Sequence, residues 1–225
     1  ELFPITIDSN GIEFTLYISL NPSSFGQFGK NYNLNIYHDG DTLTATTQIP
    51  QPLFLDSIWF EKYEAYDSLG LISALISDPD TVGNCYRWFA QRINSYKYNY
   101  PSPFDNVKGQ IKDNRFIAPI GSSIDDKLFN GLTYEFSFYR GEDGVALGPD
   151  DQGIERGFYK IGDTVIVKST SITFPVYLYV RAMEDAAATN GSLFSSPGNL
   201  PYNIQGDGIG IFYSYGSTYD TLICE

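Results

Sequence analysis

The stretch that most limits how this chain can fold is NYNLNIYHDGDTLTATTQIP, residues 31–50. Asp39-Gly40 sits between two alternating runs, and Asp-Gly is a favoured pair for a two-residue type I′ turn, which needs positive φ at both central residues. Pairing His38 with Asp41 sets Ile36 opposite Leu43 and Leu34 opposite Ala45 on one apolar face, while Asn35 and Thr44 share the other. A β-hairpin is expected here.

The rest of the chain keeps the same period. GIEFTLYISL places Ile12, Phe14, Leu16 and Ile18 on one face of a strand. After Pro50 and Pro52, LFLDSIWFEKYEAY and GLISALISDPD resume β patterning, and NCYRWFAQRINSYKYNY fits one long strand or two short ones. DNRFIAPIGS, LTYEFSFY and GDTVIVKSTSI follow as strands, with the polar, Gly-rich RGEDGVALGPDDQGIERG as a loop before the last. One helix is expected near residues 174–190. Thr173 can cap it, Pro175 suits its first turn, and Val176, Val180, Met183 and Ala187 recur at helical spacing. The β-branched start leaves a strand over its first half as the alternative.

These elements imply a mainly β chain. A small immunoglobulin-like antiparallel unit over residues 1–50 precedes a larger antiparallel sandwich or barrel-like domain over 51–225, with its helix in the C-terminal half. If residues before Glu1 have been removed, the first unit is an incomplete sandwich.

Aromatic residues make up 16% of the chain, mostly 18 Tyr and 16 Phe. That suits strands, and it fits either ordinary sheet packing or exposed sugar-binding faces. The formal net charge of −13 would repel a phosphate backbone, so nucleic acid is not an expected partner. No run approaches 18 consecutive apolar residues, so no membrane-spanning helix is expected. The chain begins abruptly at Glu1, as a trimmed mature chain would, so the lack of a leader says little about its address. Cys85 and Cys224 match no metal spacing and fit either a long-range disulfide or two buried thiols.

Catalytic chemistry is poorly supplied. The single histidine, His38, flanks a hairpin turn, which leaves nucleophilic and zinc chemistry without their usual partners. Glu142, Asp143, Asp150 and Asp151 share one loop and offer oxygen ligands to calcium, although their spacing is not that of an EF-hand and solvated loop acids look the same. No carboxylate pair is singled out for glycoside hydrolysis. The segment GDGIGIF lacks the following helix and the Lys-Ser/Thr of a phosphate loop. Gly206, Gly208 and Gly210 are therefore expected to let a last strand cross close to neighbouring backbone, with Asn199 and Asn203 holding the turn and a ligand role open for Asp207.

One short pattern exceeds chance. Asp followed by Ser or Thr and an apolar residue occurs six times, placing Thr42, Ser57, Ser68, Thr81, Thr164 and Thr221 at its centre, where composition alone predicts about one. The triplet resembles the O-glycosylation acceptor of exported Bacteroidota proteins. It also describes a turn residue entering a strand.

The order of several motifs adds a family resemblance. YNLNIYHDGDTLTATTQIPQPLFLDSIWF, then SDPDTVGNCYRW (with Asp78, Pro79, Asn84, Tyr86 and Arg87), then KIGDTVIVKSTSITFPVYLYV resemble successive segments of a Bacteroidota outer-membrane lipoprotein family, domain of unknown function 4249. The ending, through Pro197, Asn199, Asn203, Ile204, Gly206, Gly208, Gly210 and Phe212, is similar to that family's glycine motif, with Asp207 as a departure. The lipid-attachment cysteine of the family is also absent. The resemblance covers roughly residues 30–216. It implies export, an N-terminal lipid anchor and a cell-surface position beside a TonB-dependent transporter, and it brings no catalytic residues.

The expected function is therefore non-enzymatic capture of a glycan or peptide for such a transporter. Candidate binding residues are Trp59, Trp88 and the period-two stripe Tyr96, Tyr98 and Tyr100, which is either a platform or core. An adhesin or protein scaffold is the alternative, and a glycoside hydrolase the third reading. No cofactor is expected, calcium at the 142–151 loop excepted.

Overall fold

Two antiparallel hairpins open the chain. β1 (Phe3–Ser9) pairs with β2 (Ile12–Ile18), and β3 (Asn31–His38) pairs with β4 (Asp41–Gln48). The second has the register its alternation requires: His38 faces Asp41, Ile36 faces Leu43 and Leu34 faces Ala45. Asp39 and Gly40 both take positive φ, at 50° and 92°, as a type I′ turn needs. The computed structural model describes residues 2–9, 11–19, 26–66, 68–94, 113, 115–141, 157–189 and 200–225.

The strands that follow are β5 (Ser57–Lys62), β6 (Leu69–Ser77), β7 (Cys85–Asn94), β8 (Ser123–Asp125), β9 (Thr133–Phe138), β10 (Tyr159–Lys160), β11 (Thr164–Ile172) and β12 (Tyr215–Ile223). They form two antiparallel sheets. In one, β5 lies along one edge of β6 while β9 and β10 share the other edge. The second runs β12-β11-β7-β8. Ile72 and Ala74 of the first sheet meet Trp88, Ala90, Val165 and Val167 of the second, with Tyr159 and Cys224 closing the core. This is a β-sandwich, and its core follows from the period-two alternation of each strand.

The expected helix is present as α1 (Phe174–Thr189), the single α-helix among the described residues. Thr173 is the only residue between it and β11, and Tyr177 N–H closes the first turn on the Thr173 carbonyl at 3.0 Å. Val176 and Val180 pack on Cys85 and Ile172, so α1 covers one end of the second sheet's outer face. No helix of the described residues is long and apolar enough to cross a membrane.

Two local expectations differ. β1, over which no strand was expected, pairs with β2 along its whole length, with Phe3, Ile5 and Ile7 in alternation. DNRFIAPIGS does not become a strand: Ile117 makes one bridge to Ala90, and two residues on, Pro119 lacks the N–H to continue a ladder.

The glycine segment crosses β4 closely. Gln205 and Thr44 exchange backbone hydrogen bonds of 2.8 and 3.1 Å, and the Asn203 amide clamps both backbone groups of Phe212 at 2.7 and 2.8 Å. A Cβ on Gly206 would lie 2.9 Å from the Thr42 carbonyl oxygen and from Leu43, at φ +100°. Gly208 presses equally close on Leu43. The glycines thus join the second hairpin to the C-terminal segment, and Asn199 lies outside the described residues. Gly206→Ala should cost about 2 kcal/mol or more, from backbone strain plus the carbonyl clash, read as a lower denaturation midpoint.

The two cysteines do not meet; both are buried free thiols. Burial pushes each up to about 12, helped at Cys85 by Asp125 and Asp126 and at Cys224 by Asp163. Neither should react with a thiol reagent at pH 8 until the chain unfolds. Because the folded values lie above the unfolded value of 9.0, this contribution to stability is whole below pH 9 and lost as pH climbs toward 12. Denaturant melts at pH 7 and pH 10.5 would show the difference, and prompt labelling of the native protein would contradict it.

Candidate functional site

The second hairpin, β2 and the segment running into β12 together wall a cleft of about 910 Å³. Tyr32 and Tyr37 come from β3, Tyr17 from β2, and Phe212 and Tyr213 from the clamped segment after the glycines. The hairpin can supply this wall because Asn203 and Gln205 hold the C-terminal segment against β4. Thr47 and Ser214 hydroxyls meet across the floor at 3.2 Å. Tyr32 is anchored through its hydroxyl, which accepts the Gln27 N–H at 3.0 Å.

Polar groups are few and neutral. Asn33 and Asn35 line the cleft, and Thr46 donates its hydroxyl to Asn33 Oδ1 at 2.8 Å, which fixes that amide. None of the described lining residues is charged. Ring faces with a few fixed amides suit recognition of a ligand with a flat apolar side and edge hydroxyls or amides. The lining hydroxyls come from Tyr, Ser and Thr, with no described His or carboxylate beside them. A smaller pocket of about 380 Å³ lies where Pro50 and Pro52 approach Cys85, Tyr86 and Phe174.

The residues picked out from sequence fall elsewhere. Trp88 is 2% exposed and lies between the sheets, its ring 5.7 Å from those of Phe136 and Phe138. As a stacking platform it is therefore corrected: it is core. The reason is parity. On β7, Tyr86, Trp88 and Ala90 point inward while Arg87 and Phe89 point outward. Trp59 is half-buried on the outer face of the first sheet, in register with Ser73. Tyr96, Tyr98 and Tyr100 lie outside the described residues, as do Glu142, Asp143, Asp150 and Asp151. Among the described residues no group of three His, Cys, Asp or Glu could hold a metal.

Of the six triplet hydroxyls, Thr42, Ser57, Ser68, Thr81 and Thr221 are exposed, and Thr164 is half-buried. Thr42, Ser57 and Thr164 stand at or next to the first residue of a strand, and Ser68 directly precedes β6, so strand entry accounts for the triplet at these four. At Thr81 and Thr221 it does not. His38 stands exposed at its turn, 3.4 Å from the Asp39 carboxylate.

The cleft residues were not distinguished in the sequence, because positions 17, 32 and 213 meet only through the hairpin crossing. The one local signal was the NYNLN run, which sets amides and rings on alternate faces of a strand. No family model, no curated protein and no solved structure matches this chain.

Proposed function

We propose that this protein is an exported, non-enzymatic binding module that captures a glycan or peptide in the aromatic cleft and acts at the outer-membrane surface beside a TonB-dependent transporter. The cleft carries the binding half of this reading: about 910 Å³, walled by Tyr17, Tyr32, Tyr37 and Tyr213, with neutral amides at its edge. The order of motifs that resembles the outer-membrane lipoprotein family supports the address. The exposed hydroxyls of Thr81 and Thr221 would be acceptors for O-linked sugar.

A glycan and peptide array tests the capture. Saturable binding should fall about tenfold or more in Tyr213→Ala and Tyr37→Ala, since each removes a ring face. Ligands bound equally well by both variants would end the reading. The scaffold alternative is favoured by the first hairpin, where Phe3, Ile5, Ile7 and Leu16 remain exposed. Silence on the array with capture of a protein partner would favour it.

A further inference from the structure

The outer face of the second sheet sets its side chains in rows across three strands. One row is Phe89, Lys168 and Tyr219, and the next is Arg87, Thr170 and Ser217. Lys168 is only 8% exposed. Its ammonium lies over four rings, 4.2 Å from the centroid of Tyr215, 5.2 Å from Phe89, 5.7 Å from Phe116 and 6.0 Å from Tyr219. Among the described residues no carboxylate comes within ion-pair distance of it.

Arg87 completes the arrangement. Its guanidinium carbon sits 4.9 Å over Phe89, so one ring serves two cations. Its one carboxylate neighbour, Glu184, stands off at 4.0 Å, and the other oxygen of Glu184 accepts the Gly121 N–H at 3.0 Å. The Arg87 Nε is buried without an acceptor among the described residues.

Rings return part of the hydration a buried cation loses. They do nothing for the repulsion between two cations over one ring, which is strong where water is excluded. In a chain with 27 acidic and 14 basic side chains, it is informative that among the described residues no acid reaches Lys168 and that only Glu184, at 4.0 Å, approaches Arg87. The deficit points to an anion from outside. The rings select its shape: Tyr215 and Tyr219, 42% and 56% exposed, flank the ammonium with flat faces that suit the apolar side of a sugar ring.

We propose that the face around Lys168 and Arg87 binds a uronic acid residue of an acidic polysaccharide. The carboxylate bridges the ammonium and the guanidinium while the pyranose ring stacks on Tyr215 or Tyr219. This site is separate from the cleft and does not depend on it, although Tyr213, in the cleft wall, has its ring 6.3 Å from that of Tyr215.

Calorimetric titration of the full chain with oligogalacturonate and oligomannuronate, against methyl-esterified oligogalacturonate, tests the proposal. One free acid should bind saturably, more weakly as salt rises, with the ester at least about tenfold weaker. Lys168→Met keeps the stem under the rings and should lose about tenfold for the acid while its melting curve shows it folded. Should that variant not fold, Tyr219→Ala, at an exposed position, should show the same loss. No binding of either acid, equal binding of the ester, or unchanged affinity in a folded variant would overturn the proposal.

Discussion

Trp88→Ala should remove about 3–5 kcal/mol of stability and lower the melting temperature on the order of 10 °C, because it opens a cavity where the two sheets meet. Trp88 packs edge-on against Phe136 and at a tilt on Phe138, beside Ile72, Ala74 and Val167. Its indole N–H has no acceptor among the described residues. Trp88→Phe should therefore cost far less than Trp88→Ala, since the ring contacts survive in part and an unpaired donor leaves the core. Thermal melts of the two variants make the comparison. Equal, small losses in both would mean that the tryptophan is not the packing centre described above.

Asp126→Ala should be comparably damaging for a different reason. Asp126 is fully buried, and one oxygen of its carboxylate accepts the backbone N–H groups of Gly83 and Asn84, both at 2.8 Å. These bonds fold the turn after Asp80 back onto the 3₁₀ turn that follows β8. Removing the carboxylate leaves two donors without an acceptor, at about 1–3 kcal/mol each. The second oxygen of Asp126 has no partner among the described residues, so Asp126→Asn can keep the accepting oxygen and place its amide where no hydrogen bond is broken. The expected order in denaturant is wild type, then Asn close behind, with Ala well below. Asn as damaging as Ala would show that the charge, not the two hydrogen bonds, holds the turn. Tyr86 and Asp78 form a second such tie nearby, a hydroxyl-to-carboxylate bond of 2.5 Å. Burial and that bond hold the Tyr86 hydroxyl well above its usual range.

Much of the fold was legible because its signals are local. Asp39-Gly40 dictates positive φ at both turn positions, and the alternation on either side admits one register, which is the register found. Helix α1 was legible from Pro175 and the spacing of Val176 and Val180, the two residues that pack on Cys85 and Ile172. The close crossing at Gly206 was legible in kind, since only a residue without Cβ tolerates backbone pressed against it. Its partner, β4, was not, because the two lie some 160 positions apart in the chain, Thr44 against Gln205.

Strand β7 marks the limit. Along CYRWFAQR, both alternate sets mix apolar and charged side chains, so alternation does not say which set faces inward. Tyr86, Trp88 and Ala90 go inward because β6 and β9 offer Ile76, Ala74 and Phe136 to pack against. Arg87 and Phe89 then face outward, and Lys168 joins them from the neighbouring strand. Tryptophan as a residue type fits core and platform alike, and the sheet above it decided between them.

By itself, then, the sequence determined most of the strands, one hairpin register, the helix and the places where backbone must pass closely, since each rests on neighbours within a few positions. Tertiary structure alone decided which face of each strand is buried, where rings and amides gather into a cleft, and why two cations share one ring. Those outcomes depend on contacts between distant segments, and burial and charge take their values only once these have met.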